Sequence, residues 1–252
     1  MRRRAYATTS FDFSGETVGA VPKSFTPVGG KWKIADDAGN KVLVVDCKSC
    51  KAGFPYAVAN GISDFKEGDI SLRFKTFSGY QAIGIVFDLK SNGDYLVVRT
   101  NAAEKNLNLY KVVKGVRSSI TGAKNVPAPS NTYNTLRVSI QGTTMTTYVN
   151  GKLYLTYKLP APASGKVGVW SKDDTYAYVD DVVVKPSGDA GGGGGTTPIP
   201  SPTTPTSPST PTAGLGLPSF VMEKNFLVGA GIIIAGLVVM IVAAGQGGKR
   251  FG

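Results

Sequence analysis

The chain has 252 residues and a formal net charge of +11, with 28 basic against 17 acidic side chains and no histidine. The missing histidine excludes Ser-His-Asp and Cys-His catalytic centres, His-ligated zinc and a histidine pH switch. The basic excess does not mark a nucleic-acid binder: apart from Arg2, Arg3 and Arg4 the cations are scattered singly through alternating strand patterns, and no helix carries a basic stripe.

Residues 1–7 read as a basic tail. Arg2-Arg-Arg4 has the form of a signal-peptide n-region, but Ala5-Tyr-Ala-Thr-Thr-Ser10 is too polar and too short to be the apolar core that must follow. Residues 8–186 are expected to form one folded domain. In Asp69-Ile-Ser-Leu-Arg-Phe-Lys-Thr-Phe77 the apolar Ile70, Leu72 and Phe74 fall on one face and Ser71, Arg73 and Lys75 on the other, as on a half-buried strand. Similar runs occur at 31–35, 41–46, 82–89, 95–100, 106–113, 135–141, 144–150, 152–158, 166–171 and 176–185. Turn chemistry separates them at Ser91-Asn-Gly-Asp94, Gln141-Gly142 and Asn150-Gly151, and the last, flanked by apolar alternation, predicts a hairpin. About a dozen short strands without a helix predict an all-β sandwich or jelly roll.

Cys47 and Cys50 follow the strand-like 41–46. Two thiolates without histidine do not complete a tetrahedral zinc site, so a local disulfide is expected, which fits an oxidising, extracytoplasmic location.

Residues 187–223 change character. Gly191 to Gly195 are consecutive glycines, a flexible joint, and the Pro/Thr/Ser-rich sequence after them favours extended polyproline II, a semi-rigid stalk of a composition that suits O-glycosylation. From Phe226 to Ala244 no charge appears, and as a helix this run spans about 30 Å, the hydrocarbon thickness of a bilayer. A single transmembrane helix is therefore set at 224–246, with a short basic tail at 247–252. Gly231 and Ala235, with Gly236 beside them, form a small-xxx-small pair suited to helix–helix self-association, although small residues are frequent in membrane helices generally. Lys249-Arg250 outweigh the single lysine of Glu223-Lys224, which places the C-terminus inside and the β domain outside a cell or virion envelope.

The segments Gly93-Asp-Tyr-Leu-Val-Val-Arg-Thr-Asn, Asn134-Thr-Leu-Arg-Val-Ser-Ile, Tyr148-Val-Asn-Gly-Lys-Leu, Gly165-Lys-Val-Gly-Val-Trp-Ser-Lys and Tyr178-Val-Asp-Asp-Val, in that order, resemble the concanavalin A-like lectin/glucanase superfamily. The likeness is closest to its laminin-G-like and 3-keto-disaccharide-hydrolase-like domains. It implies two antiparallel sheets in a concanavalin A-like jelly-roll β-sandwich whose concave face meets carbohydrate or protein ligands. Retaining glucanases of the superfamily carry Glu-x-Asp-x-(x)-Glu, because retention needs two carboxyl groups on one face, about 5 Å apart. The nearest match is Glu67-Gly-Asp69, followed by Ser71 and Leu72 where the second glutamate belongs, so a glucanase is not expected.

Within this frame the candidate ligand-binding residues are Trp170, Tyr176, Tyr178, Tyr95 and Tyr80, while Trp32 shares a strand face with Ile34 and reads as core. Asp12, Asp180 and Asp181 are candidates for a structural calcium at one corner, against capping and surface hydrogen bonding, since calcium takes roughly six to eight oxygens. The function expected is a non-enzymatic, membrane-anchored surface binding or adhesion module for a glycan or a surface protein. The alternatives are a structural protein of a surface layer or virion envelope, and a glycoside-active enzyme.

Overall fold

The computed structural model describes residues 7–48, 50 and 53–187. The basic tail at Arg2–Arg4, the stalk beyond Ser187, the apolar run ending at Ala244 and the Lys249-Arg250 pair lie outside the described residues. Among those described there is no helix, and so none long and apolar enough to cross a membrane.

The strands run in chain order as β1 (Thr9–Phe11), β2 (Phe25–Val28), β3 (Trp32–Asp37), β4 (Asn40–Asp46), β5 (Tyr56–Ala59), β6 (Gly68–Ser78), β7 (Ala82–Ser91) and β8 (Asp94–Asn101). There follow β9 (Asn106–Val113), β10 (Val116–Lys124), β11 (Asn134–Gln141), β12 (Thr144–Val149), β13 (Lys152–Lys158), β14 (Lys166–Ser171) and β15 (Tyr176–Pro186). They build two antiparallel sheets. The eight-stranded sheet has the order β13-β12-β11-β6-β15-β4-β3, with β1 paired to the far part of β15, and the seven-stranded sheet has the order β10-β9-β8-β7-β14-β5-β2. Most neighbours are distant in sequence, which is the jelly-roll-like arrangement expected of the 8–186 domain.

The two sheets bury one apolar layer between them, to which β6 gives Ile70, Leu72 and Phe74, β11 gives Leu136, Val138 and Ile140, and β7 gives Ile83, Ile85 and Phe87. Trp32 belongs to this layer, 4% exposed, and its indole donates to the Gly29 carbonyl at 3.0 Å. The sheets differ on their outer faces. Strand β11 alternates buried and half-exposed residues, the mark of one wet face, whereas in β8 every residue from Tyr95 to Asn101 is buried. A second apolar cluster, including Tyr56, Val86, Tyr95, Val97, Tyr110 and Trp170, covers the outer face of the seven-stranded sheet.

Asn150-Gly151 closes the β12–β13 hairpin as a two-residue loop between Val149 and Lys152, with φ of 51° and 77°. Both positive values are those of a type I′ turn, which suits Asn-Gly and matches the twist of the flanking strands. Lys114-Gly115 closes β9–β10 with the same signs.

Candidate functional site

On the outer face of the seven-stranded sheet, strand pairing sets one row of side chains across the strands. Val28 of β2 lies opposite Tyr56 of β5, Tyr56 opposite Trp170 of β14, Trp170 opposite Gly84 of β7, Gly84 opposite Arg99 of β8, and Arg99 opposite Asn108 of β9. Gly84 leaves room in this row between the indole and the guanidinium. A neighbouring row carries Tyr110 of β9, and a third sets Tyr95 of β8 opposite Val112, which lies opposite Arg117 of β10.

Trp170 is fully buried because Phe54 stacks on it, with ring centroids 5.6 Å apart and planes 22° from parallel. Phe54 comes from the loop after the cysteines, and that loop is held along the end of β14. Cys47 and Cys50 are bonded to each other. The Cys47 N–H donates to Thr175 O at 2.9 Å, Asp174 N–H to Cys47 O at 2.8 Å, and Ser171 N–H to Pro55 O at 2.8 Å. Tyr56 packs on Tyr95 at 5.2 Å.

Polar groups sit among these rings. Arg99 donates to the Tyr110 hydroxyl at 2.6 Å and to the Glu104 carboxylate at 3.0 Å, and Asn106 also donates to Glu104. Burial pushes the Glu104 carboxyl up, but the hydrogen bonds from Asn106 and Arg99 outweigh it and hold the group below its ordinary range. Burial, with Tyr95 alongside, pushes the Tyr56 hydroxyl up to about 12. Burial likewise lowers Arg117 from its ordinary value. Among the described residues Trp170 Nε1, Tyr56 Oη, Arg99 Nε and Arg117 Nη1 are buried without a hydrogen-bond partner. Buried polar groups are rarely left so, and each orphan costs about 1–3 kcal/mol. A cleft of about 700 Å³ borders this face, lined by Val28, Val58, Leu89, Asn60, Lys90 and Lys166.

The sequence-predicted ligand residues are divided by the fold. Trp170 and Tyr95 lie together on the face just described. Tyr176 and Tyr178 of β15 stand outside the eight-stranded sheet, with ring centroids 5.8 Å apart, beside Phe77. The hydrogen bond to Tyr178 and then burial push the Tyr176 hydroxyl up to about 12. Tyr80 is exposed between β6 and β7, with the Lys172 ammonium 3.2 Å from its ring centre. The face also gathers Phe54, Tyr56, Tyr110, Arg99 and Arg117, which no local motif marks.

Asp12 accepts from the Ser14 amide and hydroxyl at 3.0 and 2.8 Å. Asp180 is buried, accepts from Asn40 at 2.8 Å, and shares Arg73 with Asp181 at 3.5 and 3.3 Å. Burial pushes the Asp180 carboxyl above its ordinary range. Among the described residues no group of three histidine, cysteine or acidic side chains is arranged to hold a metal.

No family model matches the chain, and no curated protein sequence does. Among solved structures it is similar to the carbohydrate-binding module CBM66 from Bacillus subtilis, at 18% identity over 63% of this chain and 93% of that one, with a TM-score of 0.53. It is also similar to a Bacillus subtilis protein of unknown function with a galectin-like fold, at 14% identity over 65% and 90% of the two chains and a TM-score of 0.50. The apo Crh5 transglycosylase gives 16% identity, 74% and 87% coverage and a TM-score of 0.50. What these likenesses establish is the fold, an all-β sandwich of two antiparallel sheets.

Proposed function

We propose that the domain is a non-catalytic glycan-binding module that uses the outer face of the seven-stranded sheet. The observation that carries this reading is the Phe54–Trp170 stack, in which half-buried Phe54 caps the row of Trp170 and Tyr56, and Trp170 Nε1 and Tyr56 Oη lie beneath it without a partner among the described residues. Aromatic faces take the C–H faces of a sugar ring, and a few fixed polar groups orient its hydroxyls. The fold is shared with a protein described as a carbohydrate-binding module, which supports the reading without carrying it.

Binding without cleavage is favoured by where the carboxylates lie. Asp69, of the broken Glu67-Gly-Asp69 pattern, stands on β6 of the other sheet and pairs with Arg137 at 3.3 Å. On the aromatic face Glu104 is occupied by Arg99 and Asn106. The same reading puts the domain on the stalk at 187–223, outside a membrane held by residues 226–244. Protease added to intact cells or particles then releases a β-rich fragment, and release only after permeabilisation reverses that topology.

The ligand test uses the full chain in detergent micelles on a panel of neutral and acidic oligosaccharides. Phe54→Ala, at a half-buried loop position, is expected to weaken binding about tenfold with little change in melting temperature. Binding to no member of the panel overturns the proposal, and release of reducing ends from a bound oligosaccharide overturns its non-catalytic part.

A further inference from the structure

Resting on the glycan-binding reading above, the charges of the same face narrow the class of glycan. The two guanidiniums there are held in different ways. Arg99, 4% exposed, is answered within the chain by the Glu104 carboxylate at 3.0 Å and the Tyr110 hydroxyl at 2.6 Å. Arg117 is half-buried and has no ion pair or hydrogen bond among the described residues. Its Nη1 is shut away from water without a partner. What holds it is ring faces: Phe54 at 4.2 Å, Tyr110 at 4.4 Å and Trp170 at 5.8 Å from the guanidinium carbon.

A guanidinium keeps its charge throughout the physiological range and presents donors only. Cation–π contacts are worth about 0.5–2 kcal/mol and leave the N–H fork unused, so a partly desolvated cation of this kind lacks both a counter-charge and acceptors. Two neighbours on the face add donors without a partner among the described residues, Arg99 Nε and Trp170 Nε1, on side chains 4% and 0% exposed, and the Tyr56 hydroxyl, donor and acceptor alike, is unpartnered there too. Glu104, the carboxylate of this face, is already committed to Arg99 and Asn106. The face therefore offers one uncompensated positive charge and an excess of donors over acceptors.

We infer that this face selects glycans bearing an anionic group, a carboxylate or a sulfate, and that Arg117 is the residue that reads the charge. Two oxygens of such a group match the Nε–Nη2 edge of the guanidinium and accept from it in a bidentate pair, while the sugar ring lies against Phe54. The excess of basic over acidic side chains within residues 8–186, 22 against 15, favours the approach of such ligands.

The test places the full chain, in detergent micelles, on immobilised neutral gluco-oligosaccharides and galacto-oligosaccharides beside oligogalacturonides, hyaluronan fragments and chondroitin sulfate fragments. The expected result is about tenfold tighter binding of one or more acidic members than of neutral ones at physiological salt. Arg117→Gln is expected to abolish that preference and Arg117→Lys to retain part of it, with near-ultraviolet circular dichroism showing that each variant is folded. Oligogalacturonide against chondroitin sulfate separates carboxylate from sulfate as the group read. Binding confined to neutral members, or an acidic preference that survives Arg117→Gln within about twofold, overturns this inference and leaves the glycan reading standing. Binding to nothing on the panel removes both. Should Arg117→Gln not fold, Arg117→Lys decides: an acidic preference reduced in that variant supports the inference, and one unchanged within about twofold overturns it.

Discussion

The carboxylate of Glu16, 8% exposed, accepts from the amides of Lys23 and Ser24 and from the Ser24 hydroxyl at 2.7–3.1 Å, closing the loop between β1 and β2. Burial works against the charged form, but these donors outweigh it and hold the group below its ordinary value of 4.5. A carboxyl lowered by folding stabilises at pH above its unfolded value, and that stability drains away as pH falls through the folded one. Glu16→Gln keeps the shape, loses the charge and turns an amide N–H₂ toward donors. We expect it to cost about 2 kcal/mol at neutral pH, with the gap to wild type closing below about pH 4.5 in denaturant titrations. A gap that does not change with pH contradicts this account. At this scale the sequence marks two rings of the aromatic face, Trp170 and Tyr95, and neither its other rings, Phe54, Tyr56 and Tyr110, nor its cations. Trp170 and Tyr95 stand out as large amphipathic side chains on alternating strands. Arg99 and Arg117 read as two more scattered charges, because only the pairing of β8, β9 and β10 brings them onto the same rings.

Among the elements, the runs predicted at 106–113, 152–158 and 166–171 coincide with β9, β13 and β14. Four strands escaped for physical reasons. β1 is only three residues long, β2 contains Pro27, β5 is buried on both faces, and β10 is an exposed edge strand without apolar alternation. Each therefore lacks the period-two pattern that marks a half-wet strand. The division of Trp170 from Tyr176 and Tyr178 has the same origin, since the chain passes from one sheet to the other between β14 and β15. Gly84 gives an element-scale test. A Cβ there would lie 2.6 Å from the Val98 carbonyl oxygen and 3.1 Å from Val97 Cγ2, between two strands that cannot easily part. Gly84→Ala is expected to destabilise the domain by about 2 kcal/mol and to spread the Trp170–Arg99 row. Unchanged denaturant midpoint and unchanged glycan binding in this variant would show that the row tolerates the added methyl.

For the molecule as a whole, the first and last strands are neighbours: Thr9 pairs with Val184 and Phe11 with Val182, so the described domain closes on itself. The shared layer of apolar side chains is drawn from strands across both sheets, and no single stretch of chain supplies it. Residues 8–186 produced alone are accordingly expected to give β-type circular dichroism and a single cooperative unfolding transition that coincides by fluorescence and far-ultraviolet signal. Separate transitions by the two probes would mean that the sheets unfold independently.

β15 has a further consequence. It lies inside the eight-stranded sheet, paired with β6 on either side of a bulge at Asp181-Val182 and with β4 and β1 on its other side, and the chain leaves the domain from its end at Ser187. Tension applied through that exit pulls the strand along its own axis. The ladder bonds on both flanks are then sheared together, and none is peeled ahead of the rest. Under load the domain should behave as a mechanical clamp whose rupture force exceeds that measured when the same domain is pulled across its strands, through Asn150 and Tyr80 at the β12–β13 and β6–β7 turns. Single-molecule stretching from the two attachment geometries measures that difference, and equal forces would mean that β15 does not bear the load.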